Sequence, residues 1–248
     1  MTTTMQNPAT GSTRIQRAPM DQARRSAFFG GLFYLITFAS SIPAVFLLRP
    51  VLNDSHYIIS AGADHRVILG TVLDLVNALT AVGSAVALFP IVKRQSESMA
   101  LGFVTTRLFE AAAITIGVIS LLTVVSLRQP GASGAEAQSL VVTGHALVAA
   151  YNWVFLVGPN LMPAVNGMLL GTLMYKSGLV PKAIPVMGLI GGPLLLAVTL
   201  ASMFGLTHHG SPWWAVTAPI FFWELSLGLY LTFKGFKPSP ITAGVDNA

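Results

Sequence analysis

Six stretches of this chain run for more than 20 residues with almost no charge, and no other feature narrows the fold so far. The first, Ala27–Leu48, holds 22 residues without one acidic or basic side chain. At 1.5 Å per helical residue that is about 33 Å, enough to cross a hydrocarbon layer of roughly 30 Å. The others are Val67–Val92, Met99–Leu127, Tyr151–Tyr175, Ala183–Phe204 and Pro212–Phe233. Only 9% of the 248 residues are charged and 53% are hydrophobic. A water-soluble domain carries roughly 25% charged residues to coat its surface. The solvent around most of this chain is therefore lipid, and lipid leaves helices as the economical fold, because a helix satisfies its own backbone.

The punctuation between the runs sets the topology. Residues 128–139 form a loop by their Pro, Gly and Ser content. The stretch from Leu140 to Tyr175 is too long for one crossing and is interrupted at Gly158-Pro159-Asn160 and Pro163. It reads as a short interfacial helix over 137–149, followed by a kinked fourth span. Lys and Arg collect on the cytoplasmic side of short loops. With six spans, one side gathers ten of them (Arg14, Arg17, Arg24, Arg25, Lys93, Arg94, Lys176, Lys182, Lys234 and Lys237) and the other only Arg49, Arg66 and Arg128. A seventh span would undo this separation. The expected fold is an all-α, multi-pass bundle of about six transmembrane helices with both termini in the cytoplasm. Residues 1–23 read as a disordered tail, 24–237 as the membrane domain and 238–248 as a short cytoplasmic tail.

Several function classes drop out. The formal charge is +5, but the basic residues sit at span ends and form no stripe for nucleic acid. With no cysteine there is no disulfide, thiolate nucleophile or thiolate metal site. His145 and the adjacent His208-His209 have poor spacing for a metal, since neighbours on a helix point about 100° apart. No phosphate-binding glycine loop or hydrolase signature appears. No cofactor, metal or catalytic residue is expected, and an enzyme is the least favoured class.

Four charged residues nevertheless fall inside spans: Asp74, Arg107, Glu110 and Glu224. Each costs about 2.5–3.5 kcal/mol at the bilayer centre. Unpaired, the four would cost on the order of 10–14 kcal/mol, comparable to the roughly 5–15 kcal/mol that holds a domain together. They must pair inside the bundle or line a wet cavity. Arg107 and Glu110, three residues apart, share a helix face and form the expected ion pair, and Asp74 shares a face with Asn77 in the same way. One arginine against three carboxylates predicts a proton on Glu224 or Asp74 at neutral pH. Asn160 and Asn166 follow the Gly158-Pro159 break, where proline frees a backbone carbonyl. These seven residues are the expected ligand-binding or proton-linked centre. The rival reading is that they only tie helices together.

Four segments carry a family resemblance: RRSAFFGGLFYLITF (24–38), RLFEAA (107–112), GTLMYKSGLVPK (171–182) and WELSLGLYLTFKG (223–235). In order and spacing they resemble the domain of unknown function 4386 family of uncharacterised bacterial multi-pass membrane proteins. That resemblance implies the cell inner (plasma) membrane and no assigned activity. The leading expectation is a protein that binds or transports a small molecule, in a proton-linked way or not. The alternatives are a non-enzymatic membrane sensor or partner subunit, and an enzyme acting on lipid. Expected partners are the bilayer, an unknown small molecule, and either a second membrane protein or a second copy of the chain. A wet cavity reaching Glu110 and Glu224 from one side would favour transport or catalysis, and a dry paired cluster the partner role.

Overall fold

A computed structural model describes residues 21–62, 64–208 and 211–243. Residues 1–20 of the expected N-terminal tail, with Arg14 and Arg17, lie outside these, as do His209 and the last five residues. The described chain is helical throughout: α1 Gln22–Asn53, α2 His65–Val92, α3 Glu97–Leu127, α4 Gly134–Phe155, α5 Leu161–Ser177, α6 Ala183–Met203 and α7 Ala218–Phe233. Short 3₁₀ turns cover Tyr57–Ile59 and Pro212–Thr217. Six helical units are long and apolar enough to cross a membrane, with α4 and α5 counting as one unit, Gly134–Ser177.

One boundary differs from the sequence reading. Residues 137–149 form no separate helix but lie within α4, which continues through a π-helical turn, Leu156–Asn160, into α5. Nothing between Ala135 and Val157 can stop a helix except Gly144, and a lone glycine costs only about 1 kcal/mol. The interruption falls instead at Pro159, which has no N–H to donate. The Asn160 side-chain amide donates to the Phe155 carbonyl at 3.2 Å and replaces part of what is lost.

The helices close into a ring. α1 packs on α2 and α7, α2 on α3, α3 on α5, α5 on α6, and α6 on α7, while α4 rests against α3. Close approach is built on glycine. A Cβ on Gly31 would lie 2.6 Å from the Thr232 backbone nitrogen and 2.7 Å from the Gly228 carbonyl, so α1 and α7 meet backbone to backbone. The lysine- and arginine-rich end of the ring is packed solid by Leu88, Phe103, Leu170, Met174, Leu227 and Leu231. At the opposite end a smaller core joins only α1–α4, around Leu48, Tyr57, Leu121 and Tyr151. Side chains such as Leu79 and Val86, 73% and 63% exposed, face outward where acyl chains solvate them.

The termini of the bundle are tied down by polar contacts. Asp21 caps α1 by accepting from the Arg24 N–H, and the Arg24 guanidinium donates to the Leu231 and Thr232 carbonyls that α7 leaves unpaired. Beyond α7 the chain folds back: the Lys237 N–H donates to the Leu179 carbonyl at 2.8 Å, and the Ser239 hydroxyl to the Ser177 carbonyl at 2.6 Å. At the other end Arg128 bonds to Asp64 at 2.5 Å and to the Tyr57 carbonyl, holding the α1–α2 connection.

Candidate functional site

The polar side chains that the spans carry are sorted by the ring into two groups. The first is centred on Arg107 of α3, 2% exposed. Its Nη1 donates to Glu110 Oε2 at 3.0 Å. Its Nη2 donates to the Tyr34 hydroxyl at 2.8 Å and to Glu224 Oε1 at 3.0 Å. Three helices, α1, α3 and α7, thus meet at one guanidinium. A fourth joins through α5, where the Asn166 amide donates to Glu110 Oε2 at 3.2 Å and accepts from the Thr106 hydroxyl. The rings of Tyr34 and Phe103 lie 5.0 and 5.9 Å from the guanidinium carbon and supply apolar cover with a favourable face. Only Arg107 Nε is left without a partner among the described residues.

This arrangement follows from spacing on α3. Arg107 and Glu110 differ by one short helical turn, so both project to the ring axis, and the fork of an arginine can serve several acceptors at once. Tyr34 and Thr106 escape a search for charges. The signal for Tyr34 is its place in mid-span, where a tyrosine has no interface to anchor to and its hydroxyl needs a buried partner.

The second group is centred on Asp74 of α2. It is 8% exposed, has no basic partner among the described residues and pairs with the Tyr151 hydroxyl of α4. Asn77 lies beside it, and its Oδ1 is buried without a hydrogen bond. Both line a small internal pocket bounded by Gly117, Tyr151, Phe155 and Pro159. The sequence reading starts the fourth span at Tyr151; in the structure Tyr151 lies within the unbroken α4, beside Asp74.

Above both groups lies a vestibule of about 510 Å³. Its mouth is formed by Asn53, Thr207 and His208, at the end away from the basic loops. One wall is aromatic, with Tyr151, Trp153 and Phe155 of α4, and Ser202 of α6 helps line it. Its deepest α4–α5 residues are Leu156 and Asn160, at the π turn. Tyr151 and Phe155, stacked at 5.9 Å, border both the vestibule and the Asp74 pocket. Asn160 and Asn166 do not act together: the first lines the vestibule, and the second, about 9 Å further along the helix, is locked to Glu110. None of the pockets described touches Arg107, Glu110 or Glu224.

The His145 Nε2–H donates to the Ser55 carbonyl at 3.1 Å. A family model described as Domain of unknown function (DUF4386) matches residues 29–235. No curated protein and no solved structure matches the chain.

Proposed function

Because this chain belongs to the family described as a domain of unknown function, DUF4386, with nearly its whole membrane domain matched, we propose a function from geometry: it binds a small molecule in the vestibule and passes it across the bilayer. The observation that carries this reading is one-sided access. The ring is open between α1, α4 and α6 at the end away from the basic loops, down to Asn160, and tightly packed at the basic end. With Lys and Arg facing the cytoplasm, the vestibule faces outward. A cavity that stops beside a broken helix, over a closed opposite half, is how alternating-access carriers are arranged in one of their states. The cavity falls in the roughly 300–1,000 Å³ range of small-molecule sites. The cell inner membrane and the two cytoplasmic termini belong to the same proposal.

In this reading Arg107, Glu110 and Glu224 hold the ring together at the base of the route and do not touch the ligand. Glu110 and Glu224 come from the third and sixth spans and converge on one arginine, so any rocking of one half against the other must strain this junction. The same dry cluster, paired except at Arg107 Nε, favours a second reading, a non-enzymatic partner or sensor subunit.

The two readings separate in a thermal-shift screen of small molecules on purified protein, with Ser202→Trp as the comparison. Ser202 lines the vestibule and lies outside the polar core, so the indole fills the cavity and leaves the fold intact. Compounds that raise the melting temperature of the parent and not of Ser202→Trp support the vestibule. If every stabilising compound acts equally on both, the binding proposal fails.

A further inference from the structure

Among the described residues Asp74 has no countercharge, and the vestibule beside it has an aromatic wall. From this juxtaposition we propose that the vestibule takes a lipophilic organic monocation, an ammonium or phosphonium with apolar substituents, whose charge is balanced by Asp74 across the Tyr151–Phe155 partition. The inference rests on the vestibule being a binding site and adds the class of ligand.

Four observations bear on the sign of the charge. A buried carboxyl in lipid surroundings gives up its proton only beside a positive partner, and the arginine that could supply one is committed to Glu110 and Glu224, which leaves a bound cation to fill that place. Tyr151 is the titratable group found beside Asp74, and α1 and α3, which pack on α2, bring no basic side chain to it. Tyr151, Trp153 and Phe155 line the vestibule, and aromatic rings favour a cation over an anion as neighbour, because the ring quadrupole is negative above the plane. Finally, among the described residues no lysine or arginine lines the vestibule, and His208, which does, sits at the mouth. The remaining polar lining consists of amides and hydroxyls, whose oxygens suit a weakly hydrated cation. Asn77 Oδ1, buried without a donor, adds a further unpaired acceptor beside Asp74.

The test uses a pair of probes with one shape and opposite charge, tetraphenylphosphonium and tetraphenylborate, on full-length protein in lipid nanodiscs. Tetraphenylphosphonium is expected to bind the parent, and about tenfold more weakly to Asp74→Asn and to Trp153→Ala. Tetraphenylborate is expected to bind at least about tenfold more weakly than its cationic twin. Asp74→Asn keeps shape and hydrogen bonding, and its melting temperature without probe shows that the fold persists. Should Asp74→Glu restore affinity where Asp74→Asn loses it, the charge itself is responsible. Equal binding of the borate, undiminished phosphonium binding to Asp74→Asn, or no phosphonium binding at all would each overturn the proposal. If neutral compounds bind the parent but not Ser202→Trp while the phosphonium does not bind, the vestibule stands and only the cation assignment falls.

Discussion

Arg107 satisfies three acceptors with two nitrogens, so its removal strands more than it deletes. Arg107→Met leaves the buried Glu110 and the half-buried Glu224 without a countercharge and should cost about 3–5 kcal/mol, the usual effect of breaking a buried pair from one side. Arg107→Lys should rescue little of this, since an ammonium lacks the planar fork that reaches Glu110, Glu224 and Tyr34 together. The triple variant with Glu110→Gln and Glu224→Gln removes all three charges and should recover much of the loss, because the penalty lies in the uncompensated charge. Thermal unfolding in a mild detergent measures each step. A triple variant no more stable than Arg107→Met would mean that the arginine acts through shape and not through charge. Removing the Tyr34 hydroxyl is a gentler change: Tyr34→Phe deletes one hydrogen bond to a charged donor and should cost about 1.5–3 kcal/mol. The arginine–glutamate pairing was legible from spacing alone, since residues three apart on a helix must be neighbours. Glu224 and Asn166 were expected at one centre with that pair, but Tyr34 and the separation of Asp74 and Asn77 into a second group were not legible, because which helix faces which depends on packing between spans that no local pattern records.

Among elements, the α1–α7 contact at Gly31 and the α3–α5 contact at Gly102 contrast a glycine that is required with one that is not. At Gly31 an added methyl meets main-chain atoms of α7 that cannot step aside, so Gly31→Ala should lower stability by about 1–3 kcal/mol. At Gly102 the nearest atom is a Leu169 methyl at 3.4 Å, and alanine should be neutral or slightly stabilising through its better helix propensity. Equal melting temperatures for the two variants would refute the backbone-contact account. The spans themselves were legible because crossing a bilayer demands only length and apolarity, both additive along the chain. The α4 boundary was not legible for the opposite reason: Leu140–Tyr175 is longer than one span, and that the helix runs unbroken through 149–151 depends on its packing against α3. Outside the spans, the loop between α1 and α2 carries its own pH marker. Burial, and the Asp64 carboxylate that Tyr57 donates to at 2.8 Å, push the Tyr57 phenol up to about 12. The fold therefore favours neutral Tyr57. Its contribution is complete below the ordinary phenol value of about 10 and is lost as the pH rises towards 12. In Tyr57→Phe the high-pH limb of the stability profile should be flatter across that window.

At the scale of the whole molecule, the two ends of the ring make opposite demands on water. The basic end excludes it with fully buried Leu170, Leu173 and Met174, while the other end leaves room for it down to Asn160. Since the chain contains no cysteine, single cysteines report on this asymmetry without background. Ser202→Cys and Asn53→Cys, in the vestibule, should react with a membrane-impermeant maleimide added outside intact cells. Lys176→Cys, at the basic end of α5, should react only in inverted vesicles, and Met174→Cys from neither side. A carrier must also visit the reverse state, so a ligand that drives turnover should slow labelling at Ser202→Cys and open Met174→Cys to the inner face. A partner subunit has no such second state, and its labelling should be indifferent to small molecules. Strain on the Arg107 junction links this to the residue scale: Tyr34→Phe loosens one of the three helices held there and should shift the balance of labelling between the two faces, a change that a purely static bundle would not show.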